Sequence, residues 1–142
     1  MKEKGFFVVL GAIGSAIATA FGGWDKGLEA LVILMAIDYI AGMTCAGVFH
    51  KSKKTKNGAL ESRAGFKGLC RKCTALLFVL VSYRLDLLIG CDYIRDAVII
   101  GFCANECISI LENAGLMGIY IPPAVEKAIE VLKTRENEGG QS

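Results

Sequence analysis

The residues that could carry chemistry in this chain sit where polar groups are rare. Asp38 lies near the middle of an apolar block at 28–49, and Arg84 and Asp86 fall towards the end of another at 73–89. Asn105, Glu106, Ser109, Glu112 and Asn113 interrupt a further block at 96–117. A charge inside a lipid-embedded helix costs about 2.5 to 3.5 kcal/mol, so each of these groups must face protein or water. Such groups serve as ion or proton relays, or line a water-filled passage. Catalysis is poorly served by comparison. His50 is the sole histidine and stands beside a loop, so no Ser/His/Asp or Cys/His set is available for hydrolysis and no catalytic residue is assigned. Cys70-x-x-Cys73 lacks the second ligand pair of a structural zinc site, and neither a metal nor a cofactor is expected. At least three of the six cysteines fall inside apolar blocks, where the residue acts as a small hydrophobe, so free thiols are expected.

The elements that position these groups are read from blocks of hydropathy. Hydrophobic residues make up 54% of the 142, and the mean hydropathy of +0.49 is high for a soluble chain of one domain. The block at 5–23 has the length of a membrane-crossing helix. Its start also fits a secretory signal peptide, but the apolar run is longer than a signal core and is retained as a first span. Within it Gly11, Ser15 and Thr19 recur every four residues, as do Gly14, Ala18 and Gly22, giving helix-contact candidates that admit close backbone approach. Gly42 and Ala46 share a face with Asp38 in the second span, 28–49, and are helix-contact candidates too. Spans at 73–89 and 96–117 follow, the latter with its five polar positions along one face. Asp38 and Glu106 are expected at similar depth in antiparallel spans; two such acids, if close, raise each other's pKa and can hold a proton at neutral pH. Pro122 and Pro123 end the fourth span. Val125, Ala128, Ile129 and Leu132 then mark a short amphipathic helix at 123–135, followed by a disordered tail at 136–142.

Charge sets the orientation. The loop at 50–72 carries Lys51, Lys53, Lys54, Lys56, Arg63, Lys67, Arg71 and Lys72 against the single acid Glu61, a local +7 in a chain of net +2. Cations near span ends stay on the cytoplasmic side, so this loop and both termini are placed there, with Lys26 and Arg95 outside. The eight loop cations are expected to contact anionic lipid headgroups; with one aromatic, Phe66, the loop is not read as binding nucleic acid. Arg84 can snorkel to the outer interface or pair with Asp38 or Asp86. The expected fold is an all-α integral membrane protein with four transmembrane helices and a short C-terminal amphipathic helix. Three transmembrane helices are the alternative.

A set of these residues resembles the phage-lysis and toxin-secretion holin family. It comprises Asp38-Tyr39-Ile40-Ala41-Gly42, Glu61-Ser62-Arg63-Ala64-Gly65-Phe66-Lys67-Gly68, Leu85-Asp86, and Asn105-Glu106-Cys107-Ile108-Ser109-Ile110-Leu111-Glu112-Asn113 followed by Gly118 and Pro122-Pro123. The resemblance covers about residues 28–133; Arg84 and the number of cysteines depart from its pattern. It implies a protein that collects in the cytoplasmic membrane of a bacterial host, then forms timed lesions that release an endolysin or a toxin and lead to host cell lysis. A chain this small cannot enclose a wide passage, because four helices fill their own interior with side chains, so a large homo-oligomer is required. The endolysin or toxin is a functional partner that need not bind directly. The alternative reading is a small four-helix exporter or channel with a buried carboxylate. A membrane kinase finds no phosphate cradle here.

Overall fold

A computed structural model describes residues 1–139. Among them every regular element is helical: α1 Lys2–Ala20, α2 Lys26–Gly47, α3 Ser62–Ile89, α4 Ile94–Leu116 and α5 Pro123–Gly139. The all-α expectation holds. By length and apolar composition two of the helices, α1 and α2, can cross a membrane.

Three helices fall close to the expected spans, and α3 does not. It begins at Ser62 instead of 73, because 62–72 contains no proline and its Lys and Arg residues are good helix formers. The basic loop therefore closes before α3, and Arg63, Lys67, Arg71 and Lys72 ride on the helix. α5 also continues beyond 135, so 136–139 of the expected tail is helical, while 140–142 lie outside the described residues.

Local chemistry fixes the helix ends. Asp25 caps α2, its Oδ1 accepting the Leu28 N–H at 2.9 Å. Gly90 ends α3 with φ +79°, a left-handed turn that glycine adopts without steric cost, and its N–H reaches Asp86 O at 2.8 Å. Gly22, at φ +84°, closes α1 beneath the Tyr83 ring, where a Cβ would stand 2.8 Å from ring carbons.

α4 is the central helix, packed against α2, α3 and α5. The core between them consists of Leu28, Leu31 and Met35 from α2, Val79 from α3, and Ile99 and Cys103 from α4. Leu31 and Val79 are fully buried, each worth about 1.5 to 3 kcal/mol relative to exposure in water. α2 and α4 run in the same direction, since Gly27 lies beside Ile99 near one end and Gly42 beside Asn113 near the other. This corrects the antiparallel expectation for the spans holding Asp38 and Glu106. α5 folds back along α4, placing Glu136 against Gly101 and Gly139 against Ala97.

α1 stands apart. No residue of it is buried, and a Cβ at Gly11 or Gly14 would meet nothing within 4 Å. Within one chain, then, the candidates Gly11, Gly14 and Ser15 are exposed and Ala18 is half-buried. Gly42 and Ala46 behave otherwise: Ala46 is buried and Gly42 faces the Asn113 side chain of α4. Large apolar side chains remain exposed on α1 (Phe6, Phe7, Ile13), α2 (Ile33, Ile37, Ile40) and α3 (Leu77, Val81, Leu88). That much apolar surface is stable against acyl chains rather than water.

Candidate functional site: a buried ion cluster between three helices

The buried positions of α2 step through Leu28, Leu31, Met35, Asp38 and Cys45, which is the three-and-four spacing of a helix seam. Asp38 thus occupies a core position and is only 4% exposed. On α4 the sequence Ile99, Cys103, Glu106 and Asn113 forms the facing seam. On α3, Lys72 lies seven residues before buried Val79 and fourteen before buried Asp86, two heptads on one face. Three helices therefore bring one cation and two acids to the same point.

Lys72 Nζ lies 2.7 Å from Asp38 Oδ2 and 2.5 Å from Glu106 Oε2. The three side chains are 13%, 6% and 9% exposed, respectively. Lys72, expected at lipid headgroups, instead bridges the two acids. Its long stem brings the ammonium in from the end of the basic stretch. Asn113 donates from Nδ2 to Asp38 Oδ1 at 3.4 Å, and Ser109 lines the same cleft as Asp38. With one cation between two carboxylates, the cluster keeps an excess negative charge, and the nearby Lys54 acts on Asp38 through space. The cluster borders a cleft of about 380 Å³ lined by residues of α2, α3 and α4, with Asn105 and Glu112 at its exposed side.

Not all the expected polar residues join this cluster. Asp86 accepts the N–H groups of Ile94 and Arg95, both at 2.9 Å, and the Cys91 thiol at 3.1 Å. Supplied by α3, it caps the N-terminus of α4. Arg84 is exposed, with its guanidinium 5.5 Å from the centre of the Tyr83 ring, and among the described residues it enters neither of the ion pairs proposed with Asp38 and Asp86. Arg95, placed by charge counting on an outer loop, is 6% exposed on α4. It ties α4 to the α1–α2 turn: Nε donates to Phe21 O at 2.5 Å, Nη2 to Gly23 O at 3.1 Å, and Nη1 to Asp25 Oδ2 at 2.6 Å and Asp96 Oδ1 at 3.2 Å. The hydrogen bond from Arg95 holds the Asp25 carboxyl below the usual carboxylate range.

The signals for the two missed residues are their registers. Lys72 is in phase with Val79 and Asp86, and Arg95 precedes Ile99 and Cys103 by one and two helical turns. A group in phase with a buried seam is drawn inward whatever its charge.

The arrangement has no nucleophile set beside a general base, and among the described residues no three His, Cys, Asp or Glu side chains converge as a metal set. Cys70 and Cys73 are exposed on α3, while Cys45 and Cys103 are buried free thiols. What the cluster can do is hold three helices together by charge, in a place where an unmatched ion is costly.

The chain is 35% identical over 133 residues to an uncharacterised protein of Listeria monocytogenes, covering 93% of this chain and 89% of that one. An uncharacterised protein of Listeria innocua is 34% identical over 126 residues, covering 88% and 84% of the two chains. One from Halalkalibacterium halodurans is 33% identical over 132 residues, covering 89% and 92%. No solved structure matches. The bacteriophage holin family matches over residues 15–134, a span that takes in α2, α3 and α4 and with them every member of the ion cluster, and the chain belongs to that family.

Proposed function

We propose that this protein is a holin that accumulates in the cytoplasmic membrane of a bacterial host and assembles, in many copies, into lesions through which an endolysin or a toxin passes. Family membership carries this reading. The exposed apolar surfaces of α1, α2 and the second half of α3 support residence in lipid. In the dispersed state α1 to α4 span the membrane as four helices, with the basic loop and the N-terminus in the cytoplasm. α5 starts from the cytoplasmic end of α4 and folds back along it, so the expected cytoplasmic C-terminus does not fit this packing.

The ion cluster is the resting lock. While Lys72 bridges Asp38 and Glu106, both buried carboxylates are held by one ammonium within one chain. Opening the bridge leaves carboxylates that require water, and a water-filled lumen between copies provides it. The polar residues Asn105 and Glu112 then line that lumen beside Glu106, Ser109 and Asn113. α5 supports the same division of faces. Its charged residues Glu126, Lys127, Glu130, Lys133, Arg135, Glu136 and Glu138 cannot border acyl chains, so the side on which α5 meets α4 is the one that faces water in the assembly. Gly11, Ser15, Gly14 and Ala18 on exposed α1 provide contacts between copies.

The test is inducible expression with and without a co-expressed cytoplasmic muralytic enzyme. Abrupt growth arrest with release of the enzyme is expected. Drug resistance or ion export without release of the enzyme would instead identify an exporter and end the holin reading.

A further inference from the structure

Two neighbouring stripes on the first half of α3 have no part in the lock. Arg63, Lys67 and Arg71 repeat every four residues on one side, and Phe66, Cys70, Thr74 and Phe78 repeat every four residues beside them. Among the described residues, Arg63, Lys67 and Arg71 enter no ion pair. With Lys54 from the preceding loop they surround a pocket of about 130 Å³ in which Glu61 is the sole acid. Its floor is Gly68. The pocket adjoins a long open groove of about 710 Å³ walled by Phe66, Phe78, Ala75 and, from α4, Phe102. Lys67 and Arg71 belong to both.

The geometry points to a specific site for an anionic phospholipid, its phosphodiester in the Lys54, Arg63, Lys67 and Arg71 pocket and an acyl chain along the Phe66, Phe78 and Phe102 groove. Charge complementarity selects the headgroup, since four cations face one carboxylate. Guanidinium groups bind phosphate oxygens in pairs, which places Arg63 and Arg71 as the anchors. The groove selects a lipid over a free anion, because an apolar trough that begins at the cations has nothing to offer inorganic phosphate. Phe66 and Phe78 are 67% and 57% exposed, and each acquires an apolar neighbour when the chain binds. This differs from the general attraction of a basic loop to a charged membrane. Lys51, Lys53 and Lys56 contribute to that attraction equally, yet none of them lines the pocket.

The experiment compares two charge-matched variants of the full-length protein in neutral detergent, titrated with dioleoylphosphatidylglycerol or dioleoylphosphatidylcholine and read by native mass spectrometry. One variant carries Arg63→Gln, Lys67→Gln and Arg71→Gln; the other carries Lys51→Gln, Lys53→Gln and Lys56→Gln. Each cation near an anionic headgroup is worth about fivefold in affinity, so the pocket variant should lose about tenfold or more for phosphatidylglycerol while the loop variant loses little. Gly68→Leu provides a second arm without altering charge. Gly68 lines the pocket and a Cβ there meets nothing within 4 Å, so a larger side chain finds room beside the cations. It too should weaken phosphatidylglycerol binding. Equal loss in the two triple variants reduces the site to diffuse attraction and overturns the proposal, as does equal binding of phosphatidylcholine by the unaltered protein. Displacement of the lipid by equimolar inorganic phosphate would identify a free-anion site and overturn it too.

Discussion

Lys72 and Glu106 stand thirty-four residues apart in the chain, on different helices, and their charged atoms meet at 2.5 Å. Because Asp38 shares the same ammonium, removing the lysine strands two buried carboxylates at once. Loss of one partner of a buried pair costs about 3 to 5 kcal/mol, and Lys72→Met should lower the unfolding free energy in detergent by at least the lower figure, about 3 kcal/mol. Replacing all three groups together, as Asp38→Asn, Lys72→Met and Glu106→Gln, should recover most of the loss. A Lys72→Met protein as stable as the original would show that the bridge contributes nothing to the fold.

The same cluster makes an opposite prediction for its acids in the cell. Two carboxylates on one ammonium leave a negative excess, and Glu106→Gln or Asp38→Asn leaves a balanced single pair. A balanced lock opens less readily, so either substitution should delay the onset of lysis after induction, while Lys72→Met should advance it. The onset is read from culture turbidity against time. Unchanged timing in both acid variants would remove the cluster from the triggering step.

The difference between what could and could not be read in the chain follows from contrast. Asp38 and Glu106 are visible as acids because their neighbours are apolar, and the structure brings both to one point. Lys72 is hidden by its company. At the end of a run of cations it has the composition of a headgroup contact, and its phase with Val79 and Asp86 alone betrays a buried position. Arg95 shows the converse error, a charge assigned to water by counting although its helix turns it towards the carbonyls of the α1–α2 turn. The helical start of α3 at Ser62 was obscured for a related reason: hydropathy marks where lipid can begin, whereas the backbone responds to helix propensity and continues through charged residues. The docking of α5 on α4 had no signal at all, since periodicity identifies an apolar face without naming what covers it.

The Arg95 junction carries a pH dependence. Its hydrogen bond depresses the Asp25 carboxyl below its ordinary value, which is about 3.9 for a free aspartate. A group whose pKa is lower folded than unfolded stabilises the fold above the unfolded value, and that contribution disappears as pH falls through the folded one. The hold of Arg95 on the turn should thus be complete at neutral pH and fade below about pH 4. Asp25→Asn should remove this acid-side slope in unfolding midpoint against pH while leaving the rest of the profile. A slope that persists in Asp25→Asn would assign it to other carboxylates.

Asp86 organises the turn between α3 and α4 through three accepted hydrogen bonds. Tyr93, the residue just before α4, offers no side-chain cap of its own. Asp86→Ala should therefore cost about 2 kcal/mol, the sum expected from a lost cap and unsatisfied buried N–H groups. Asp86→Asn keeps one acceptor oxygen and should lose about half as much. Equal stability of Asp86→Ala and the original protein, measured by thermal unfolding in detergent, would mean that water caps α4 equally well.

Gly101 decides whether α5 can lie along α4. A Cβ there would stand 3.2 Å from Glu136 Oε1 and 3.4 Å from Glu136 Cδ, the end of a flexible side chain that can move a few tenths of an ångström. Gly101→Ala is accordingly accommodated, and it should stabilise α4 by up to about 1 kcal/mol because alanine is the better helix former. Gly101→Leu is different in kind, since a branched side chain needs the volume that α5 occupies. The helix must then move away, while the seam of Leu31, Val79 and Ile99 on the other side of α4 stays packed. Limited tryptic cleavage after Lys127, Lys133 and Arg135 measures this directly, because cleavage rate follows the population of the undocked helix. Cleavage about tenfold faster in Gly101→Leu than in Gly101→Ala, with equal unfolding midpoints for the rest of the bundle, is the expected result. Equal cleavage of the two would show that α5 is not held at Gly101, and would withdraw its position on α4 as the reason for assigning that side of the bundle to water.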